Sequence, residues 1–288
     1  MMSDAERRIR ARLPAGAAEA IAALPGSDLQ TLLMAVARDR AGRVRPADLL
    51  RRWRQDRLVR PAATDPRALS RLEARLWELL PHDVDGVQLS PVVPLGTCTA
   101  VAPQSQNRIV TAMRPVEVVS DPTNALAIEA ADRRARTGDS EVHVAAAHQV
   151  LRAQTFGPGM GNQFRLFSLV SSARDTGSAR TEARLLARHL AYWQMVLAPI
   201  PEAALRYTII DSPALRERIA EMDGPPLVED PQRAPGYYTG AALKITAGDV
   251  ELGDGGFTTW TAQLLSDAKE RCLVSCISLE RLATTNAQ

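Results

Sequence analysis

Two apolar segments separated by a short glycine-rich loop constrain the fold of this chain more than any other feature. Residues 142–154 and 164–170 have the pattern of extended strands, and Gly157-Pro158-Gly159-Met160-Gly161 stands between them. Strands joined by such a loop form an antiparallel hairpin. Further strand-like runs outnumber helical ones after residue 81 and follow one another mainly as hairpins. The sequence therefore predicts an α+β fold in which helices pack on an antiparallel sheet.

The first 80 residues have a different pattern, because apolar positions recur there at helical spacing. Helices are predicted over 28–38, 47–55 and 68–80. The segment from Pro61 to Pro66 interrupts this pattern and is the candidate domain boundary. The sequence therefore predicts two domains, a basic helical N-terminal domain over 1–65 and a larger core over 66–288.

Composition excludes several classes of protein. Hydrophobic residues make up 45% of the chain and charged residues 24%, which is typical of globular proteins and not of disordered ones. No run approaches the ~20 apolar residues of a membrane span, and no secretory signal is expected. Cys98, Cys272 and Cys276 match no zinc pattern, and His143 and His148 would face opposite sides of one strand. We therefore predict a reduced, cytoplasmic chain without membrane contact and without a metal site.

The N-terminal segment is basic. Residues 1–80 contain 16 arginines against 10 acidic residues. A basic segment of this kind either contacts RNA or an acidic protein partner, or forms a solvated helical surface. Both readings stay open at this stage.

Three arginines stand in or beside the predicted strands. They are Arg152, Arg233 and Arg281. The chain has neither a Gly-x-Ser-x-Gly motif nor a phosphate-binding P-loop. A buried guanidinium needs an anionic partner, because its charge cannot be neutralised. The partner is either a protein carboxylate such as Glu129 or Glu280, or a phosphate or carboxylate of a ligand.

Six short segments follow one another between residues 66 and 285, and their order is distinctive. They are 86–91, 119–123, 151–154 with 163–167, 233–238, 255–256 and 279–282. In this order they resemble the catalytic core of class II aminoacyl-tRNA synthetases. The resemblance is greatest to histidyl-tRNA synthetase and its paralogue, the regulatory subunit of ATP phosphoribosyltransferase. It implies an antiparallel six-stranded sheet, ATP and Mg²⁺ as cofactors, and a homodimer formed through residues 68–94.

The resemblance also implies roles for single residues. It assigns catalysis to Arg152 and Arg233. The residues it assigns to ATP are Arg152, Gln154, Phe164, Glu280 and Arg281. The residues it assigns to the amino acid are Asp121, Thr123, Tyr237, Tyr238, Gly255 and Gly256.

The chain departs from the family's pattern at several positions. Gln154 stands where the family has an acidic residue, Asn162 where it has an arginine, and Ser278 where it has a glycine. Leu166 and Val170 replace side chains that recognise histidine, so histidine is not the expected substrate. No anticodon-binding domain is expected after residue 282.

Two functions from different classes follow from these observations. The first is activation of an amino acid or related carboxylate by ATP, as an acyl-adenylate, for transfer to a carrier, a tRNA or an amine. The second is a non-catalytic paralogue that senses a small amino acid or anchors a partner enzyme. The retained arginines favour the first hypothesis and the departures favour the second.

Overall fold

In the computed structural model, the described residues are 3–157, 161–221, 228–230 and 236–285. The helices within these ranges are α1 (Asp4–Arg10), α2 (Ala17–Ala22), α3 (Gly26–Gly42), α4 (Pro46–Gln55), α5 (Pro66–Glu78), α6 (Thr97–Ala100), α7 (Pro122–Thr137), α8 (Arg180–Leu197), α9 (Pro213–Ala220), α10 (Trp260–Leu265) and α11 (Leu279–Thr285). The strands are β1 (Asp85–Gly86), β2 (Val92–Pro94), β3 (Val116–Val118), β4 (Glu141–Leu151), β5 (Gln163–Arg174), β6 (Ala203–Ile209), β7 (Val228–Glu229), β8 (Thr239–Ala247), β9 (Val250–Thr258) and β10 (Glu270–Ser278).

The main sheet is mixed and has eight strands within the described ranges, in the order β1-β4-β5-β10-β9-β8-β6-β7. The expected antiparallel six-stranded sheet is therefore wrong in its number of strands and in the direction of the two edge strands. The α+β class is confirmed. The six inner strands are antiparallel, whereas β1 pairs in parallel with β4 and β7 pairs in parallel with β6. Each of these edge strands has two residues, too few to produce a recognisable sequence pattern. Val116–Val118 pairs with β2 in a separate two-stranded sheet.

The hairpin that the sequence predicts is formed by β4 and β5. They pair from Glu141 opposite Ala173 to Leu151 opposite Gln163. The apolar residues of β5 alternate between the two faces of the sheet, since Phe167 packs against α8 whereas Val170 packs against α7. The hairpin thus contributes to the core around α8 and to the core around α7. Its loop end lies at the edge of these two cores.

Strand β9 is longer than expected. The strand pattern ends at Leu252, and the Gly-Asp-Gly-Gly segment that follows has the composition of a loop. In the structure β9 continues to Thr258 and pairs with both β8 and β10. A Cβ atom at Gly253 would lie 1.9 Å from the carbonyl oxygen of Cys276. Glycine at this position allows the two backbones to approach closely, which is a common reason for glycine inside a strand.

Helix α8 places a polar network inside the core on the face opposite to α7. His189 Nε2 lies 2.9 Å from Ser171 Oγ, and His189 Nδ1 lies 2.8 Å from Ser275 Oγ. Trp193 Nε1 donates to the same Ser275 hydroxyl at 2.8 Å, and His143 Nδ1 lies 2.8 Å from Ser171 Oγ. Burial lowers the pKa of His189 to about 3. The imidazole is therefore neutral in the folded chain at neutral pH.

The N-terminal helices contribute little to these cores. None of α1, α2, α3 and α4 has a buried residue. Helix α5 does, since Leu69 and Leu76 join the core around α8. The domain boundary near residue 65 stays a prediction. No helix in the described ranges is long and apolar enough to span a bilayer.

Candidate functional site

A cleft of about 1050 Å³ opens on the sheet face that carries α7. Its walls come from the start of α7, the loop end of the β4–β5 hairpin, strands β9 and β10, and the first turn of α11. The predicted site residues that line it are Asp121, Arg152, Gln154, Phe164, Tyr237, Glu280 and Arg281. Residues from all three arginine-bearing segments were expected here, but Arg233 lies outside the described residues.

Arg152 is held in place by contacts on three sides. Its Nε donates to the carbonyl oxygen of Ser120 at 2.8 Å, and its guanidinium lies over the Phe164 ring, 5.1 Å from the centroid. Its Nη2 is 3.7 Å from Asp121 Oδ2, which is too long for a hydrogen bond. The side chain is 28% exposed. A positioned guanidinium with donors still facing a cleft suits a phosphate or carboxylate, which it can bind bidentately.

Asp121 is oriented by the first turn of α7, which it caps. Thr123 donates to Asp121 Oδ1 from its backbone N at 3.0 Å and from its hydroxyl at 2.7 Å. Thr123 itself is buried and does not line the cleft. These two hydrogen bonds occupy Oδ1, so Oδ2 is the oxygen that faces Arg152.

Tyr237 forms part of the cleft wall, and Tyr238 lies next to it without lining the cleft. The ring of Tyr237 stacks on Trp260 with centroids 5.8 Å apart, and its hydroxyl donates to the Tyr238 hydroxyl at 3.1 Å. Tyr238 in turn donates to Asp254 Oδ2 at 3.4 Å. Burial, and then the charge of Asp121, raise the pKa of Tyr237. Both phenols therefore stay protonated and act as hydrogen-bond donors.

Gly255 and Gly256, which were expected at the amino acid, lie behind this wall. A Cβ atom at Gly256 would lie 2.6 Å from the Tyr238 ring, and one at Gly255 would lie 2.5 Å from the carbonyl oxygen of Val274. These glycines let Tyr238 and β10 approach β9, which is a supporting position and not a lining one. Their assignment to the amino acid stays a prediction.

Residues 279–282 place one charged side chain against the hairpin and another against β9. Both carboxylate oxygens of Glu280 accept from the backbone N of Arg165 at 2.9 Å, and burial raises the pKa of Glu280. Arg281 Nη1 donates to the carbonyl oxygen of Glu251 at 2.6 Å. Glu280 thus joins α11 to β5, and both residues line the cleft that also contains Arg152.

Side chains from two parts of the chain donate hydrogen bonds to the loop end of the hairpin. Asn162 Nδ2 donates to the carbonyl oxygens of Arg152 at 2.6 Å and of Gln154 at 2.7 Å. Arg57, which follows α4, donates to the same Gln154 oxygen at 2.7 Å and to the carbonyl oxygen of Ala153. The side-chain Nε2 of Gln163 also donates to the carbonyl oxygen of Arg60. Residues 57 and 60–64 consequently line the cleft beside Gln154.

Sequence reasoning missed several lining residues. Asp254 stands opposite Cys276 in the β9–β10 register, and both line the cleft. The signal was an acidic residue within a glycine-rich segment, but that segment resembled a turn and not a strand. Asn124 of α7 and Arg57 were also missed, the latter because it lies in the predicted N-terminal domain.

Comparison with known proteins identifies the fold. The chain matches no protein-family model and no curated protein. Among solved structures it is similar to the apo histidyl-tRNA synthetase of S. aureus, with 17% identity and a TM-score of 0.57. That match covers 77% of this chain, which spans only 65% of the length of that synthetase.

Two further solved structures have the same fold. The pyrrolysyl-tRNA synthetase of Desulfitobacterium hafniense has 15% identity and a TM-score of 0.54, over 84% of this chain and 75% of that one. An ATP phosphoribosyltransferase regulatory subunit/histidyl-tRNA synthetase from Bacillus halodurans C has 11% identity and a TM-score of 0.60, over 78% and 82%. The expected class II synthetase-like core is therefore confirmed as the fold of this chain.

Proposed function

We propose that the cleft binds ATP and an amino acid and joins them as an aminoacyl-adenylate. The observation that carries this proposal is the placement of Arg152 and Asp121, 3.7 Å apart, in a single cleft. An amino acid offers a carboxylate and an ammonium group, and this pair presents one charge complementary to each. The size of the cleft, about 1050 Å³, supports a nucleotide bound beside such a ligand.

In this reaction a carboxylate oxygen of the amino acid attacks the α-phosphorus of ATP. The bond from that phosphorus to the oxygen bridging the α- and β-phosphates breaks, and pyrophosphate leaves with the electron pair. Negative charge grows on the phosphorus centre, and a positioned guanidinium stabilises it. Arg152 takes this role, with Arg233 as its proposed counterpart, while Asp121 holds the ammonium group.

The remaining lining residues have proposed roles in holding ATP. Phe164 and Gln154 border the adenine, and Arg281 meets the terminal phosphates, while Glu280 keeps α11 and β5 together at that end. The described residues contain no group of three side chains that could hold a metal ion. Magnesium usually takes its ligands from substrate phosphates and one or two carboxylates, and no step here is assigned to it. The acyl group then passes to a carrier, a tRNA or an amine.

A second candidate is favoured by the position of Arg57. Its guanidinium binds both carbonyl oxygens of the Ala153–Gln154 segment, at the place proposed for adenine. If this segment keeps ATP out, the cleft senses a small amino acid, and the chain regulates or anchors a partner enzyme. The N-terminal helices, which lack buried residues, would then offer a surface for a protein or an RNA.

We place either activity in the cytoplasm, in keeping with the free thiols of Cys98, Cys272 and Cys276.

ATP binding and pyrophosphate exchange by the parent chain separate the two candidates, and replacement of Arg152 tests the proposed site. For the enzyme, ATP with Mg²⁺ raises the melting temperature, and one amino acid supports pyrophosphate exchange. Arg152→Ala should weaken ATP binding by about tenfold or more and abolish exchange, since a charge-assisted hydrogen bond is lost. The matched control is Arg206→Ala, which removes an exposed arginine on β6. If ATP fails to stabilise the parent chain and no amino acid supports exchange, the regulatory function replaces the enzymatic one.

We also propose a homodimer through residues 68–94. An apolar groove between α7 and residues 89–94 lies at the end of this region, and Leu95, which follows β2, is 53% exposed. Twofold dimers are the commonest closed assemblies. Light scattering should show a dimer at micromolar concentration. Leu95→Asp should shift it to a monomer, whereas Leu264→Asp on α10 should not. A monomeric parent chain would contradict the proposal.

A further inference from the structure

We propose that Arg57 binds the base of the nucleotide, so that the segment after α4 forms part of the nucleotide site. This inference rests on the proposed binding of ATP in the cleft. It adds a binding residue from outside the six segments that lie between residues 66 and 285. The guanidinium of Arg57 donates a hydrogen bond to an acceptor nitrogen of the purine ring.

Two main-chain carbonyl groups fix the guanidinium of Arg57 at the cleft. Its Nη1 donates to the carbonyl oxygen of Gln154 at 2.7 Å, and its Nη2 donates to the carbonyl oxygen of Ala153. These contacts use two of the five N–H groups of the side chain. The other three have no partner among the described residues, and Arg57 lines the cleft. Arg57 is therefore a positioned donor with hydrogen bonds left for a ligand.

The same contacts reduce the number of main-chain acceptors at this place. The carbonyl oxygen of Gln154 accepts from Arg57 and also from Asn162 Nδ2 at 2.7 Å, which occupies both of its lone pairs. Asn162 Nδ2 also donates to the carbonyl oxygen of Arg152, at 2.6 Å. A ligand therefore meets the donors of Arg57 here. Purines present ring nitrogens as acceptors, and arginine is a common donor to such atoms.

The surroundings of Arg57 suit a base. Phe156 and Phe164 both line the cleft, and their rings meet edge to face with centroids 6.1 Å apart. Aromatic side chains are common platforms on which bases stack. Arg57 contacts the main chain two residues after Arg152, a span of about 7 Å in an extended chain. One ribose separates the base of a nucleotide from its α-phosphate, so a single molecule can contact both arginines.

The regulatory candidate gives Arg57 the opposite role, because there its segment keeps ATP out of the cleft. An obstructing residue and a binding residue differ in the sign of one measured change. Removal of an obstruction strengthens ATP binding, whereas removal of a binding residue weakens it.

The test is calorimetric binding of ATP with Mg²⁺ to the full chain, compared with 1-deaza-, 3-deaza- and 7-deaza-ATP. Each analogue has a CH group in place of one ring nitrogen and so lacks one acceptor. At least one analogue should bind the parent chain about tenfold more weakly than ATP, because a hydrogen bond to a charged donor is lost. Arg57→Ala should weaken ATP binding by about tenfold and should bind ATP and that analogue equally well.

Two further variants control for charge. Arg52→Ala removes an exposed arginine of α4 that does not line the cleft, and it should change neither quantity. Arg57→Lys keeps the charge but lacks the planar fork that contacts two carbonyl groups and a ligand together, so it should restore little of the lost affinity. Full recovery with lysine would mean that only charge matters and would overturn the inference.

The outcomes distinguish this inference from the proposed function. The inference is overturned if Arg57→Ala binds ATP as tightly as the parent or more tightly, or still discriminates against the analogue. It is also overturned if Arg57→Ala loses the same factor in binding inorganic tripolyphosphate, because Arg57 would then contact phosphates. Pyrophosphate exchange by the parent would support adenylate formation in each of these cases. Discrimination that depends on Arg57, without exchange, would support the inference and refute adenylate formation. A parent chain that binds no nucleotide would refute both.

Discussion

Lowering the pH from 7 to 5 is expected to reduce the free energy of unfolding by about 2 kcal/mol, because His189 cannot accept a proton in its buried site. Its pKa is about 3 in the folded chain against 6.5 for the free side chain. Below pH 6.5 the unfolded state therefore binds a proton that the folded state does not. The stabilisation is complete above pH 6.5 and is lost as the pH falls. Burial also lowers the pKa of His143, which adds to the effect.

Urea unfolding at several pH values checks this expectation. His189→Gln should be less stable than the parent at pH 7 but should lose less stability towards pH 5, because an amide does not titrate. His82→Gln, which replaces an exposed histidine, should keep the parent's pH dependence. The measurements stop at pH 5 because carboxylates with lowered pKa values, such as Glu117, contribute to the pH dependence of stability at lower pH. A flat profile for the parent chain would show that His189 is solvated.

Replacing Gly253 with alanine is expected to cost about 3 kcal/mol or more. The added Cβ atom would lie 1.9 Å from the carbonyl oxygen of Cys276 and 2.9 Å from the Cα atom of Ile277. All of these are backbone atoms, so no side chain can rotate away. Strands β9 and β10 would have to separate at the centre of the sheet, next to the cleft.

Denaturant unfolding of Gly253→Ala measures this cost. The matched control is Gly42→Ala at the end of α3, where an added Cβ atom has no neighbour within 4 Å. There the change should be neutral or should stabilise by up to about 1 kcal/mol, because alanine favours a helix. Equal stability of the two variants would mean that β9 and β10 are not as close as this structure has them.

The parts of the fold that the sequence predicts are those with strong local patterns. The β4–β5 hairpin and helix α5 have apolar patterns with clear ends, and Leu69 and Leu76 of α5 are buried as their helical spacing predicts. The edge strands β1 and β7 have two residues each, and their pairing depends on contacts that no local pattern encodes. A glycine-rich segment is equally consistent with a turn and with a closely packed strand, so the sequence pattern predicts an end at Leu252 although β9 continues to Thr258.

The candidate site divides in the same way. Residues next to a recognisable segment, such as Arg152 and Asp121, were predicted and do lie in one cleft. Asp254 is brought there only by its register opposite Cys276, and Asn124 only by the direction of its helix. Arg57 is 97 residues from Gln154 in the chain, so their hydrogen bond is a purely tertiary feature. Specificity is the property that depends most on such contacts, and it is the hardest to predict.

The hydrogen bonds from Arg57 to the hairpin loop have a thermodynamic consequence. They connect the segment after α4 to a wall of the cleft. If displacement of Arg57 rearranges this wall, the two sites are linked. A cleft ligand that prefers one arrangement changes the affinity of the N-terminal helices for any partner that displaces Arg57. Linkage requires the reverse effect to have the same size. Occupancy of the cleft and occupancy of the N-terminal helices are then coupled equilibria.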